Sequence, residues 1–145
     1  MPQRLKGLPV FFPMTMTVYL ANAFSANMLS ADADGDSYIR FTRLSEFEVK
    51  ALLSSGFEST IGHPGTAQVL TEKLGLQVEA NRKAVRLAEG DKLIVAQVEW
   101  PGGRLPEGRV LTKEEVEKLP IKYLLVEDVT LEVKRALESG VNLKR

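Results

Sequence analysis

His63 is the only histidine in the chain, and it sits in the run Ile61-Gly62-His63-Pro64-Gly65-Thr66. Proline is favoured at the first helical position, where its missing N–H is not needed. The pattern therefore sets His63 at the N-cap of a helix ending near Gly75. The first N–H groups of such a helix, here those of Gly65 and Thr66, have no carbonyl partner inside it and can bind an anion. Gly65 leaves room for close approach. A phosphate held there would stand beside an imidazole, a pair suited to protonating a leaving oxygen. A lone histidine is more often structural than catalytic, and it is the position at a helix start that favours chemistry here.

Three other clusters carry polar side chains at informative spacings. Asn22-Ala-Phe-Ser25-Ala-Asn27 directly follows an apolar, strand-like run. Ligands of sheet proteins with helical crossovers commonly sit outside strand ends, where Asn and Ser can bond phosphate oxygens, ribose hydroxyls or base edges. Taken alone, the same residues read better as a turn with an Asn and a Ser cap. Arg104-Leu-Pro-Glu107-Gly-Arg109 follows a Pro-Gly-Gly turn. A loop of both signs can close over a bound anion, with arginine clamping phosphate and glutamate orienting an imidazole or a ribose hydroxyl; a solvated hairpin is the plainer reading. Asp32-Ala-Asp34-Gly-Asp36-Ser-Tyr-Ile39 opens like a calcium-binding loop. Position six, however, is Ser37 and position twelve is Arg43, a cation where the ion needs its strongest ligand. It reads as a solvated acidic loop. Arg82 and Gln97 are polar residues within strand-rich stretches.

The elements that must position these groups follow from hydrophobic period and punctuation. Residues 14–21 and 38–44 alternate as strands, and Ser25 can cap a short turn reaching Leu29. Ser45 with Glu48, and Thr112 with Glu115, are capping boxes opening helices to about Ser54 and Leu119. Residues 55–61 read as a loop, 77–87 as one or two short strands, and 92–100 as a strand with Leu93, Val95 and Gln97 on one face. Residues 110–111 read as a short strand, 121–127 as the last strand and 130–139 as a closing helix. Not every strand pair is joined by a helix. The fold class is therefore α/β in the α+β sense, a single domain with a mixed β-sheet flanked by helices.

Composition bounds the function. The chain has 145 residues, enough for one self-sufficient core, and no cysteine, which excludes disulfides, thiolate metal sites and a cysteine nucleophile. Lys+Arg and Asp+Glu are both 19, so the basic excess typical of proteins that bind long nucleic acid is absent. Arg4 and Lys6 precede an apolar stretch closing with Ala21-Asn22-Ala23, which mimics a secretory signal. Pro9 and Pro13 break the helix that such a signal needs, and Thr15 and Thr17 alternate as in a strand. No other apolar run approaches the ~18 residues of a membrane span. The expected location is the cytoplasm (the host's, if the protein is viral), with no membrane partner.

Taken together, these pieces resemble a known family. Val18-Tyr-Leu-Ala-Asn-Ala-Phe-Ser-Ala-Asn-Met-Leu29 resembles the opening signature of the viral ring nucleases, the type III anti-CRISPR proteins. Ile61-Gly62-His63, Asn81-Arg82, Asp91-Lys-Leu with Gln97, and Arg104-Leu-Pro-Glu107-Gly follow in that family's order and spacing. The likeness spans residues 16–128, leaving 1–15 as an N-terminal and 129–145 as a C-terminal helical extension. It implies a symmetric homodimer that binds cyclic tetra-adenylate, the messenger of type III CRISPR complexes, at its two-fold axis. The ring would be cut, without metal or other cofactor, into linear di-adenylate bearing a 2′,3′-cyclic phosphate. Within the resemblance His63 matches the catalytic general acid and Glu107 the assisting glutamate. Arg104 and Arg82 match ligand-contacting arginines; Asn22, Ser25, Asn27 and Gln97 match polar contacts, and Gly62 precedes the histidine. The two extensions and the Pro-Gly-Gly lengthening before Arg104 depart from the pattern. A non-catalytic sponge for the same messenger would share the binding residues, while a small DNA-binding regulator would show a steep salt dependence.

Overall fold

The computed structural model describes residues 16–29, 35–103 and 111–140. In chain order the elements are β1 (Val18–Ala21), β2 (Ile39–Leu44), α1 (Glu46–Leu53), β3 (Glu58–Ser59), α2 (Pro64–Leu74), β4 (Lys92–Val98), α3 (Lys113–Lys118), β5 (Ile121–Asp128) and α4 (Thr130–Glu138), with 3-10 turns at Ala26–Met28 and Pro101–Gly103. Both capping boxes form. The Ser45 hydroxyl accepts from the Glu48 N–H while the Glu48 carboxylate accepts from the Ser45 N–H, and Thr112 and Glu115 repeat the exchange. Gly75 ends α2 at φ 70, a left-handed conformation that glycine adopts without a Cβ clash.

Five strands form one mixed sheet in the order β2-β5-β4-β1-β3. β1 runs parallel to both β3 and β4, whereas β5 is antiparallel to β2 and β4. Alternation along the strands divides the core by face. Leu20, Ile94, Ala96 and Tyr123 point toward α1 and α2 and pack with Val49, Leu53, Ile61, Leu70 and Leu74. Ala21, Leu93, Val95 and Val126 point the other way, where Phe24, Met28, Val85 and Leu87 pack against them. Among the described residues no α-helix belongs to this second cluster. Phe24 meets Phe41 edge-on at 5.6 Å, and Phe41 stays 51% exposed. α3 joins α2 through Val69, Val116 and Leu119.

Four local expectations need correction. Residues 77–87 are not strands; only Ala80 bridges to Ile61. Side chains take the place of a ladder there: the Thr71 hydroxyl bonds both the N–H and the carbonyl of Val78, and the Ser59 hydroxyl donates to the Glu79 carbonyl. The stretch expected as a loop, 55–61, contains β3, whose two residues are too few to show a period. Ser25 does head a 3-10 turn, but its side chain makes no cap bond. Leu111 is outside any strand and packs instead beside Val116 and Leu119. Met14, Thr15, Asp32, Asp34 and Val110, on which other expectations rested, lie outside the described residues.

Candidate functional site

The carboxyl ends of the three mutually parallel strands collect most of the singled-out residues. β1 ends at Ala21, so Asn22 is the first residue beyond it and is half-buried. β3 leads through Thr60 and Ile61 to Gly62 and His63. Thr60 locks this path, because both its N–H and its hydroxyl donate to the Leu20 carbonyl, at 2.8 and 3.0 Å. Gln97 lies near the end of β4, two residues beyond Val95, the partner of Ala21. Open sheets with parallel strands bind ligands at this end.

His63 is the N-cap residue of α2, with Pro64 at the first helical position. Its side chain makes no cap hydrogen bond and is exposed, so the ring is available to a ligand. α2 itself is firmly seated, with Leu70 0%, Val69 2% and Leu74 2% exposed. A well-packed helix thus carries an exposed imidazole next to N–H groups that have no carbonyl partner within the helix.

Arg82 reaches the same place from another direction. The Asn81 N–H donates to the Ile61 carbonyl at 2.8 Å, and the Asn81 side-chain amide donates to the Ser59 carbonyl at 3.0 Å. These bonds dock residues 79–82 along the chain that leads to His63. A Cβ built on Gly62 would stand 3.6 Å from Cγ and Nε of Arg82 and 3.7 Å from its Cδ. The arginine stem therefore lies over Gly62, one residue before the histidine. Arg82 is exposed and has no ion pair among the described residues.

Ser25 and Asn27 lie on the exposed 3-10 turn that follows β1. The turn is tied down where the Leu87 N–H donates to the Met28 carbonyl at 2.8 Å. The Asp91-Lys-Leu motif is structural at its first residue. The buried Asp91 carboxylate accepts from the N–H groups of Thr17 and Ala88, fixing the entries to β1 and β4. Arg104 and Glu107 lie outside the described residues. Reasoning from sequence passed over Ser59 and Thr60, whose hydroxyls align the histidine's approach; nothing in their spacing singles them out.

Arg43 stands in the extended ladder of β2 opposite Leu124 rather than closing a cation loop. Among the described residues, no three His, Cys, Asp or Glu side chains cluster as metal ligands. No helix of the described residues is long and apolar enough to cross a membrane.

The fold and the site define a small α+β domain whose parallel strand ends present an exposed histidine at a helix N-cap position, with an exposed arginine over the glycine that precedes it. Comparison with known proteins makes the assignment specific: the STIV B116-like family matches residues 18–125, and the chain belongs to that family. It is 33% identical over 105 residues to the uncharacterized protein ORF116 of Acidianus filamentous virus 1, covering 72% of this chain and 85% of that one. The uncharacterized protein YddF of Bacillus subtilis is 36% identical over 70 residues, 48% of this chain and 62% of that relative. Among solved structures, B116 of Sulfolobus turreted icosahedral virus superposes with a TM-score of 0.62 at 29% identity, covering 77% of this chain and 98% of B116. The single-domain mixed-sheet fold is thus shared with a viral protein.

Proposed function

We propose that the chain is a metal-independent ring nuclease that cleaves cyclic tetra-adenylate and so ends type III CRISPR signalling. The observation that carries this reading is the Arg82 stem lying over Gly62, one residue before the exposed His63 at the start of α2. One phosphate at that point meets a proton donor, a cation and unpaired N–H groups.

The chemistry asks for little more. The ribose 2′ oxygen is already tethered next to phosphorus, so the substrate supplies its own proximity. The 2′ oxygen bonds phosphorus while its proton passes to solvent, the bond from phosphorus to the 5′ oxygen breaks, and that oxygen takes a proton from His63. Arg82 and the first N–H groups of α2 bear the charge that builds on the phosphoryl oxygens. The products are linear di-adenylates with 2′,3′-cyclic phosphate ends, formed by two cuts in one ring. A symmetric homodimer supplies one His63 to each cut. Asn22, Ser25, Asn27 and Gln97 would hold ribose and base edges, and Arg104 and Glu107 would add a phosphate contact and assist the histidine. The reaction belongs in the cytoplasm, where the messenger is made.

The test is a digest of labelled cyclic tetra-adenylate in the presence of a chelator. Linear di-adenylate with a cyclic phosphate end is the expected product. Intact ring that stays bound would instead make the chain a sponge, and an activity lost on chelation would contradict the metal-free mechanism.

A further inference from the structure

The sheet face turned away from α1 and α2 carries a row of cations that the functional reading so far leaves unused. Gln97 is in phase with Leu93 and Val95, so alternation sets it on this face. The antiparallel register puts Lys122 directly opposite Gln97 and Arg43 opposite Leu124, which is in phase with Lys122. Lys122 and Arg43 are therefore diagonal neighbours, about 7–8 Å apart. Arg43, Lys122 and Gln97 thus follow one another across β2, β5 and β4 on a single face. Arg82 lies over Gly62, beyond the end of β3.

All four are exposed, and the three cations have no ion pair among the described residues, whereas Arg40, Lys83 and Lys92 on the same strands or segments each have one. Glu99, whose N–H donates to the Pro120 carbonyl two residues beyond the Gln97–Lys122 pair, makes no ion pair with Lys122. Unneutralised like charges gathered on one face repel one another, and an anion carrying several charges relieves that repulsion.

The geometry points to Lys122 and Arg43 as further phosphate contacts, holding the part of the cyclic ligand remote from His63. This rests on the cyclic tetra-adenylate reading above. As contacts to the remote part of the ring, they act on binding and leave the rate at saturation unchanged.

The test measures dissociation constants of cyclic tetra-adenylate for the full chain across a salt series, together with single-turnover cleavage at saturation. Lys122→Ala and Arg43→Ala should each weaken binding about 5-fold and together at least 20-fold, the order expected for phosphate-bound cations. The double variant should flatten the slope of log affinity against log salt by about 1.4, at ~0.7 per lost contact. Lys122→Arg should restore affinity. Lys118→Ala, which removes an exposed cation from α3, should change neither quantity. Unchanged affinity and slope in the double variant, with wild type binding tightly, would overturn this inference alone. Equal losses in Lys118→Ala would also overturn it. A wild type that binds no ring overturns it together with the functional reading.

Discussion

Replacing Gly62 isolates the contact between Arg82 and the histidine's approach. The backbone there is outside the left-handed region, so a side chain brings no dihedral strain. In Gly62→Ala the new methyl meets the arginine stem at 3.6–3.7 Å, an ordinary contact. Stability should stay within about 1 kcal/mol of wild type, because the lost chain entropy of glycine offsets mild crowding. Gly62→Val adds two methyls to a carbon already touching Cγ, Nε and Cδ, and Arg82 must swing off the strand end. A displaced guanidinium forfeits a charged hydrogen bond to phosphate, about 1.5–3 kcal/mol, or roughly 10- to 150-fold in affinity. The assay is titration of cyclic tetra-adenylate into wild type, Gly62→Ala, Gly62→Val, Arg82→Ala and the Gly62→Val/Arg82→Ala double variant, with thermal melts as fold controls. The double variant should bind no worse than the weaker single variant, since both remove the same interaction. Wild-type affinity in Gly62→Val, or fully additive losses in the double variant, would refute the placement of Arg82 in the site.

Other expectations concern the framework. Leu70 is fully buried under the helix that carries His63; Leu70→Ala should cost about 3–4 kcal/mol, seen as a melting temperature lower by about 10 °C, while a cost under 1 kcal/mol would mean that α2 is not seated on this core. Glu127 bridges Arg40 at 2.8 Å and Lys92 at 3.1 Å. Burial alone would raise its carboxyl, but the hydrogen bonds from both cations outweigh it and hold it below the usual glutamate value. A depressed carboxyl stabilises the fold above its unfolded value near pH 4.5, and that contribution fades as pH falls through the folded value. The melting difference between wild type and Glu127→Gln should accordingly shrink on acidification; a constant difference would show that the bridge carries no linkage. Ser45→Ala removes one half of a capping box and should cost about 1 kcal/mol in chemical denaturation, with a loss below 0.3 kcal/mol counting against the cap.

Local chemistry announced much of this molecule. Ser45 with Glu48 and Thr112 with Glu115 mark helix starts because each pair satisfies its own orphan groups, independent of tertiary context. Pro64 and Gly75 bound α2 for the same reason, so the position of His63 at a helix start is legible in the residue types alone. What stays hidden in the sequence is non-local. β3 exists because Glu58 and Ser59 find Tyr19 and Leu20 in register, and no two-residue pattern can show that. Residues 77–87 alternate like a strand, yet hydroxyls of Ser59 and Thr71 claim the backbone groups a ladder would need. The docking of Arg82 over Gly62 depends on Asn81 bonding across 22 residues to Ser59, a distance along the chain over which spacing carries no information. The register that sets Lys122 beside Gln97 is equally out of reach of sequence pattern.

The most direct test of the central claim is the single-turnover cleavage rate of saturating cyclic tetra-adenylate by wild type and His63→Ala, with binding measured in parallel. General acid catalysis contributes ~10²–10⁴-fold, so the variant should lose about that much rate while retaining its affinity for the ring. Equal rates in the two proteins, or a wild type that leaves the ring intact, would contradict the account.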